Sequence, residues 1–467
     1  MNMREEKDSL GPLQVPMDAY YGVQTARAVV NFPVSGTTAH RNFIWACAAI
    51  KAAAARVNSE LGLIDPGMAG AINRAALEVM NGDFDDHFVV DVYQAGAGTS
   101  HHMNTNEVIA NRAIELMGGS RGDYSVVHPN DHVNFGQSTN DVFPTAMRLA
   151  VLKSVPALLG ALDDLGLALA GRGEAFRETV KSGRTHLQDA VPVTLGQEFA
   201  AYGLAVEKSR LNLAGSTADL RELGIGGSAA GTGLNTHPRY RFRMVEVLSE
   251  LLGESLEPAG DLFEAMQSMR PFLVFSGSMR ETCVELNRIA NDLRLLSSGP
   301  ATGLNEIVLP AVQPGSSIMP GKVNPVMAEM LNMVCFQVMG NDTAVTLAAG
   351  AGQMELNVMM PLIIHNLLSS VEILSNAVQV FVERCVKDIQ ANEEVCRHYF
   401  SNSLGLATVL NVIVGYERAA EVMKAAREQK KTVLQVVEEK SILTREQIDA
   451  LFSAKELTQP GVPGLKS

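Results

Sequence analysis

The sequence predicts a mainly helical protein built around a long central helix bundle. Aromatic residues make up only 5% of the 467 residues, whereas methionine (21 residues) and alanine are abundant, a composition that favours helix over sheet. Apolar residues recur at spacings of three and four along 262–296, as they do on one stripe of a helix. Residues 356–381 are apolar nearly all round, so that helix needs cover on every side. We therefore expect the bundles of separate subunits to pack against each other.

Composition and charge restrict the possible partners and location. An apolar content of 46% allows a large core, and a net charge of −13 argues against nucleic acid or an anionic membrane as a partner. The five cysteines form no CxxC motif, so we expect buried reduced thiols rather than disulfides or a zinc site. Residues 1–8 are charged and lack a signal-peptide core, and the run 356–371 is too short and too polar to span a membrane. These features predict a cytoplasmic protein.

The N-terminal part is expected to be irregular to about residue 40, because three prolines interrupt it. Helical patterns then cover 41–60, 66–81 and 104–117. Before the third, small residues lead through Thr99 and Ser100 to the pair His101-His102, a pattern that a tight turn and a helix cap would explain. Neighbouring histidines do not share a helix face and no third ligand is evident, so we predict no metal site.

Ser138, Thr139 and Asn140 place three short polar side chains directly before a long helix predicted from Asp141. Such residues cap helix N-termini, and the same groups can equally hold a carboxylate. At this point the sequence leaves both interpretations open.

Two loops interrupt the helical region 141–395. The first contains Thr185 and His186, and a lone histidine of this kind is more often structural than functional. The second, 224–233, is rich in glycine and loosely imitates a dinucleotide fingerprint. It follows a helical pattern (204–222) rather than a strand, so we exclude NAD binding and predict no cofactor.

The most informative stretch is 315–325, Gly-Ser-Ser-Ile-Met-Pro-Gly-Lys-Val-Asn-Pro. Its glycines allow backbone N–H groups to approach a ligand, and loop amides followed by a helix N-terminus form an anion site. Lys322 adds a full positive charge, and donors that bind an anion would also stabilise the alkoxide of a serine. By composition alone, a glycine–proline turn with a solvated lysine is an equal alternative. Beyond about 396 a small tail is predicted, with helices at 416–428 and 444–452, the latter opening on a Thr444 capping box.

These segments resemble the fumarase/aspartase superfamily, whose members eliminate a group from a succinyl skeleton and release fumarate. The stretch 315–325 is similar to the long family signature, and the resemblance extends over essentially the whole chain. It implies a three-domain lyase fold: an N-terminal helical domain (1–139), a central long-helix bundle domain (140–395) and a small C-terminal helical domain (396–467). It also implies a homotetramer with a multi-helix core, in which three subunits build each active site around a small dicarboxylate.

The resemblance also implies roles for individual residues. Ser316 would be the base that removes a proton next to a carboxylate. The donors to the resulting enediolate would be Thr99, Ser138, Thr139 and Ser317. The other carboxylate would be held by Thr185, Lys322 and Asn324. Near the leaving group would lie Asn140 and His186, with Glu329 supporting the histidine. A secondary anion site of fumarases is matched by His128, Asn130 and Asp131.

Two branches of the superfamily differ in the group that leaves. Ser-Thr-Asn at 138–140 and the segment 18–23 are similar to aspartases, which release ammonia from L-aspartate. The segments 141–147 and 363–366 are closer to class II fumarases, which release water from L-malate. Because Thr139 would touch the substrate, we expect an aspartate ammonia-lyase, with the fumarase reaction as the alternative.

A third alternative is a catalytically inactive structural relative. It is disfavoured because Ser316, Lys322, His186 and Asn324 are all present.

Overall fold

Helices account for most of the chain in the computed structural model, which describes residues 2–463. The mainly helical prediction is therefore confirmed. The described residues form two compact units: the residues up to 159 with 211–283 and 336–375, and the residues 160–210 and 284–335 with those from 376 onwards. The division into domains 1–139, 140–395 and 396–467 stays a prediction.

The first unit begins with regular structure where the sequence predicted irregular chain. The elements of this part are β1 (Met3–Asp8), β2 (Gly11–Pro16), α1 (Val23–Asn31), α2 (Arg41–Glu60), α3 (Pro66–Asn81) and α4 (Thr99–Leu116). Strands β1 and β2 form an antiparallel hairpin. The buried positions of β1 are Arg4 and Glu6, which form a 2.8 Å ion pair, so hydrophobic alternation could not reveal the strand.

The core of this region is formed by α2, α3 and α4. Alanines at 48, 52, 75 and 110 are buried, which lets the helix backbones approach closely. Glu107 of α4 is also buried, and it accepts hydrogen bonds from the backbone N–H groups of Gly22, Gln24 and Thr25. Burial raises the pKa of Glu107 to about 7, while these donors oppose the rise. This carboxyl therefore fixes the start of α1 to the helix that carries Thr99.

The middle of the chain contains the longest helices. In order, the elements are α5 (Thr139–Ala175), β3 (Val180–Thr185), β4 (Gln188–Thr194), α6 (Leu195–Gly215), β5 (Glu222–Leu223), α7 (Tyr240–Leu252), β6 (Glu257–Pro258), α8 (Leu262–Gln267), α9 (Arg270–Leu296), β7 (Ile307–Val308), α10 (Val326–Ala349) and α11 (Met360–Arg384). Helix α5 is long and apolar enough to cross a membrane by length and composition, but 72% of its most apolar window is buried.

Two helix predictions in this region were inaccurate. The single periodic stretch 262–296 is divided at Ser268 into α8 and α9. The pattern at 204–222 belongs to α6, which starts earlier and ends at Gly215, and the glycine-rich loop is preceded by the two-residue strand β5. Strand β5 pairs in parallel with β6 only over two residues.

The C-terminal part belongs to the second unit and is a small helical cluster. Its elements are β8 (Gln390–Ala391), α12 (Glu393–Asn402), α13 (Ala407–Val414), α14 (Tyr416–Gln429), α15 (Val433–Glu439), α16 (Arg445–Leu451) and α17 (Ala454–Leu457). The capping box predicted at Thr444 is confirmed, because its side chain accepts from the Gln447 N–H and the Gln447 side chain accepts from the Thr444 N–H. The five cysteines are free and buried, as expected.

Candidate active site

Ser138, Thr139 and Asn140 lie at the start of α5, and Ser138 caps that helix. Ser138 Oγ accepts a hydrogen bond from the Asn140 N–H at 3.2 Å, and Asp141 Oδ1 accepts one from the Ser138 N–H at 2.9 Å. Ser138 thus caps the second helical N–H, and Asp141 accepts from the Ser138 N–H in return, as the acidic residue of a capping box does. The capping interpretation is therefore correct for Ser138, while Thr139 is engaged differently.

Asp141 joins the start of α5 to the glycine-rich loop. Its side chain is buried, and Oδ2 accepts hydrogen bonds from the N–H groups of Gly226 (2.9 Å) and Ser228 (3.0 Å). Burial raises the pKa of Asp141 to about 6, and the backbone donors oppose that rise. Asn140 Nδ2 donates to the Ala229 carbonyl at 2.8 Å, leaving Oδ1 as its acceptor. The loop thus holds Asn140 and Asp141 in place, whereas a dinucleotide fingerprint would offer its amides to a ligand.

Thr99 is the first residue of α4, and the glycine before it allows α4 to meet α5 within the first unit. Gly98 has a φ of +87°, and a Cβ at this position would overlap the Phe143 ring of α5. One turn after Thr99, the His102 Nδ1 atom lies 2.8 Å from Thr139 Oγ1. The structure therefore brings Thr99 and residues 138–140 to two adjoining helix starts.

Behind Thr139 lies a buried chain of hydrogen bonds that no sequence motif indicated. Lys51 of α2 is fully buried, and its Nζ atom lies 2.7 Å from His102 Nε2. Nζ also donates to Asn134 Oδ1 and Gln137 Oε1, both at 2.9 Å. Burial lowers the pKa of Lys51 to about 7 and that of His102 well below its usual value. The available signal was a lone lysine inside the alanine-rich run 46–55.

Thr185 and His186 lie at the tip of the hairpin formed by β3 and β4. Thr185 pairs with Gln188, so the loop contains only two residues, His186 and Leu187. Both have positive φ (54° and 60°), the backbone of a turn that matches strand twist and usually takes asparagine and glycine. The turn therefore keeps a strained histidine exposed, which is common where a side chain is needed for function.

A buried ionic cluster holds the base of this hairpin. Glu306 is completely buried and pairs with Lys181 and Arg184, each at 2.9 Å. Lys181 also pairs with Glu198 at 2.8 Å, so two cations face two carboxylates. Burial raises the pKa of Glu198, and the Lys181 ammonium opposes that rise. Because Arg184 directly precedes Thr185, the cluster fixes the strand that leads to the hairpin tip.

The loop 315–324 is closed by its own hydrogen bonds. The Gly315 N–H donates to the Lys322 carbonyl at 2.8 Å, and Asn324 Nδ2 donates to the Gly315 carbonyl at 2.7 Å. A Cβ at residue 315 would lie 2.6 Å from the Lys322 oxygen, so only glycine fits there. One Asn324 amide hydrogen is thus used for loop closure, and the second is available to a ligand.

Ser316 occupies the donor-rich position of this loop. Its Oγ accepts hydrogen bonds from the N–H groups of Ile318 (3.2 Å) and Met319 (3.0 Å). Ser317 and Lys322 are exposed, and Lys322 forms no ion pair with any described residue. Glu329 lies in the first turn of α10 and forms no ion pair with His186 within the described part of one chain. The candidate site residues of the second unit therefore lie on the β3–β4 hairpin, this loop and the start of α10.

His128 and Asn130, two of the three residues matched to a secondary anion site, line a separate cavity of about 540 Å³ in the first unit. Lys7 and Arg27 also line this cavity together with the carboxyl groups of Asp8 and Glu107, and Arg27 pairs with Asp8 at 2.8 Å. His128 Nδ1 accepts from the N–H groups of Asn130 and Asp131, both at 3.2 Å, which fixes the imidazole ring. The carboxylate oxygen Oδ2 of the third residue, Asp131, lies 3.4 Å from the same ring nitrogen.

Comparisons with known proteins agree on one family. A family model described as a lyase matches residues 11–340, and one described as the fumarase C C-terminus matches residues 406–459. An aspartate ammonia-lyase from Pseudomonas canavaninivorans is 47% identical over 100% of this chain and 99% of the relative.

Two solved structures have the same fold as this chain. A fumarate lyase:delta crystallin from Brucella melitensis, bound to cobalt, has a TM-score of 0.96 at 47% identity and covers 98% of this chain and 100% of its own. A recombinant class II fumarase from Schistosoma mansoni has a TM-score of 0.94 at 40% identity and covers 98% and 99%.

Proposed function

The chain belongs to the fumarase/aspartase superfamily of lyases, and on that premise we propose that it is an aspartate ammonia-lyase, which converts L-aspartate reversibly to fumarate and ammonia. Its 47% identity to an aspartate ammonia-lyase over the full length supports this choice over the 40% identity to a class II fumarase. The observation that carries the chemistry is the pair of backbone amides that donate to Ser316 Oγ.

Ser316 is the base in this proposal. An alkoxide at Oγ keeps the amide donors of Ile318 and Met319, which lower the cost of losing the serine proton. The alkoxide removes a proton from the carbon next to one carboxylate, and the C–H electron pair forms an enediolate on that carboxylate. Collapse of the enediolate forms the double bond and breaks the C–N bond, and the protonated amino group leaves as ammonia. The proton on Ser316 then passes to solvent or ammonia, which restores the base.

The other site residues supply charge and hydrogen bonds to the two ends of the substrate. Thr99, Ser138, Thr139 and Ser317 donate to the enediolate, where fixed donors contribute most because the charge develops there. Thr185, Lys322 and Asn324 hold the second carboxylate. Asn140 offers Oδ1 to the leaving ammonium because its amide nitrogen is bonded to Ala229. His186 lies near the leaving group. Glu329 forms no ion pair with His186 within the described part of the single chain, so its support would come across a subunit boundary of the proposed tetramer. No step in this mechanism needs a metal or an organic cofactor.

The assembly we propose is a homotetramer in which neighbouring subunits share active sites. Large apolar side chains of the long helices are exposed in the single chain, including Leu204, Met333, Phe336 (57%) and Leu347 (72%). A second copy of the chain would cover them, since such stripes rarely stay open to water. The three-domain division and a cytoplasmic location belong to the same proposal.

We expect a solution mass near four times the 50.1 kDa of one chain. Phe336→Glu should lower the mass and reduce turnover together, because it places a charge on an apolar face. Tyr416→Glu changes a residue that is 77% exposed on the small helical tail and should alter neither. Light scattering after size exclusion decides this, and a monomeric wild-type protein with full activity would contradict the shared site.

The first functional measurement is fumarate release, followed by its ultraviolet absorbance, with L-aspartate and L-malate in parallel. Fumarate from aspartate alone is the expected result. Fumarate from malate alone would identify a fumarase and would mean that the segments 141–147 and 363–366 indicated the true branch. Turnover of neither substrate would favour the inactive structural relative.

A further inference from the structure

In the hydrogen-bond chain from Lys51 through His102 to Thr139, the partners of Lys51 determine which groups donate and which accept. Asn134 Nδ2 donates to the Gln137 carbonyl at 3.1 Å, and Gln137 Nε2 donates to the carbonyls of Val133 (3.2 Å) and Phe135 (3.3 Å). The amide nitrogens are thereby committed, so the groups that face Lys51 are oxygens, which only accept. Two of the ammonium hydrogens are used by these oxygens.

The third ammonium hydrogen determines the tautomer of His102. With three hydrogens and three neighbours within 2.9 Å, a protonated Lys51 donates to His102 Nε2. Nε2 then carries no hydrogen, so the proton of the neutral ring sits on Nδ1. Nδ1 lies 2.8 Å from Thr139 Oγ1 and donates to it. The hydroxyl oxygen receives this bond, and its own hydrogen is left for another acceptor.

We propose that Lys51 and His102 are positioning residues that orient the Thr139 hydroxyl so that it donates its hydrogen to a substrate carboxylate. This inference rests on the proposed role of Thr139 as a substrate donor. If the hydrogen bonds were donated in the opposite direction, Thr139 would donate to His102 and would present only lone pairs, which repel a carboxylate. Burial lowers the pKa of Lys51 to about 7, so this direction holds at the pH values at which the lysine is charged. The side-chain oxygens of Asn134 and Gln137 favour the charged form, and so does the Asp141 carboxyl. The other titratable neighbours are Cys47 on the same helix and His101 beside His102.

Charge and burial support a functional explanation for this chain. Lys51 is 0% exposed in a helix whose other buried residues are mostly alanine, and His102 is 1% exposed. Burying a lysine is costly, and a purely structural core could use an apolar residue there. The hydrogen-bond chain ends at Thr139, one of the proposed substrate donors, so a role in catalysis would explain why a lysine is buried here.

The test is a double-mutant cycle through Thr139, measured as kcat and KM for L-aspartate and as calorimetric affinity for succinate. Thr139→Val should lower kcat/KM about 100-fold, as removal of one transition-state donor does. Lys51→Met and His102→Leu should each lower it about 10- to 100-fold, mainly through kcat. In the cycle, H102L combined with T139V should be no worse than T139V alone, because both act through the same hydroxyl. A purely structural role predicts losses that multiply.

Two further variants separate orientation from folding. His102→Asn keeps an N–H donor at the place of Nδ1, so it should retain activity within about fivefold of wild type. His101→Leu is the matched control: His101 is equally buried but packs against the Phe43 and Phe88 rings, and it should stay within about twofold. Equal losses in H101L and H102L would overturn the proposal, as would multiplicative losses in the cycle.

Failure of the proposed function gives a different result. If the wild-type protein binds succinate but releases no fumarate from either substrate, the proposed lyase activity is wrong. The double-mutant cycle measured on succinate affinity then still decides the role of Lys51 and His102. A wild-type protein that neither turns over nor binds a dicarboxylate rejects both proposals.

Discussion

Replacing Ser316 by alanine should remove nearly all turnover while leaving the fold intact. General-base catalysis accounts for factors of about 100 to 10,000, and we expect a loss of about 1,000-fold or more in kcat. The stability cost should be small, about 1 kcal/mol, because the freed N–H groups belong to the exposed residues Ile318 and Met319 and can bond to water. Steady-state kinetics with L-aspartate, together with the thermal unfolding midpoint, measures both effects.

The adjacent serine provides the matched comparison. Ser317→Ala removes a proposed donor to the enediolate but leaves the base, so its loss should be smaller, about 100-fold in kcat. Exchange of the C3 hydrogen of aspartate with deuterated solvent should persist in S317A and disappear in S316A. Succinate should still bind S316A, because the Gly315–Lys322 and Asn324–Gly315 hydrogen bonds that close the loop do not involve the serine side chain. An S316A rate within about tenfold of wild type would show that another group is the base.

The sequence was most informative where local rules agree with the final fold. Helices α2 and α3 lie where hydrophobic periodicity placed them, because residues of both helices are buried in one hydrophobic core. The hairpin of β1 and β2 was missed because its inward-facing residues are charged and satisfied by each other. Periodicity measures hydrophobicity, so it cannot detect a strand whose buried face is ionic.

The segments that carry the candidate site could be predicted from the sequence, but the contacts that hold those segments in place could not. These polar segments could be recognised in the sequence, whereas the residues that hold them could not, because each lies far away along the chain. Lys51 reaches Thr139 through His102, and Asp141 fixes the loop at 226–228. Glu306 stabilises a strand more than 100 residues earlier. Such long-range pairs depend on tertiary packing, which no local pattern specifies.

Glu306→Gln should cause a large loss of stability, and a loss of activity with it. The change keeps the side-chain volume but leaves Lys181 and Arg184 facing only the Glu198 carboxylate in a buried site. Breaking a buried ion pair in this way costs about 3 to 5 kcal/mol. Because Arg184 precedes the hairpin tip, Thr185 and His186 should lose their fixed position, and kcat/KM should fall at least about tenfold. Chemical denaturation and kinetics on the same preparation measure the two effects.

The neighbouring exposed pair and a compensating variant make this expectation specific. Glu178→Gln removes a carboxylate whose side chain is 86% exposed and pairs with Arg177, and it should change stability by less than about 1 kcal/mol. Lys181→Met combined with E306Q restores one cation for one carboxylate, so part of the stability lost in E306Q should return. If E306Q were as stable as E178Q, the buried cluster would contribute no more to stability than an exposed ion pair does. If the double variant were less stable than E306Q, balancing the buried charges would not be what stabilises this hairpin.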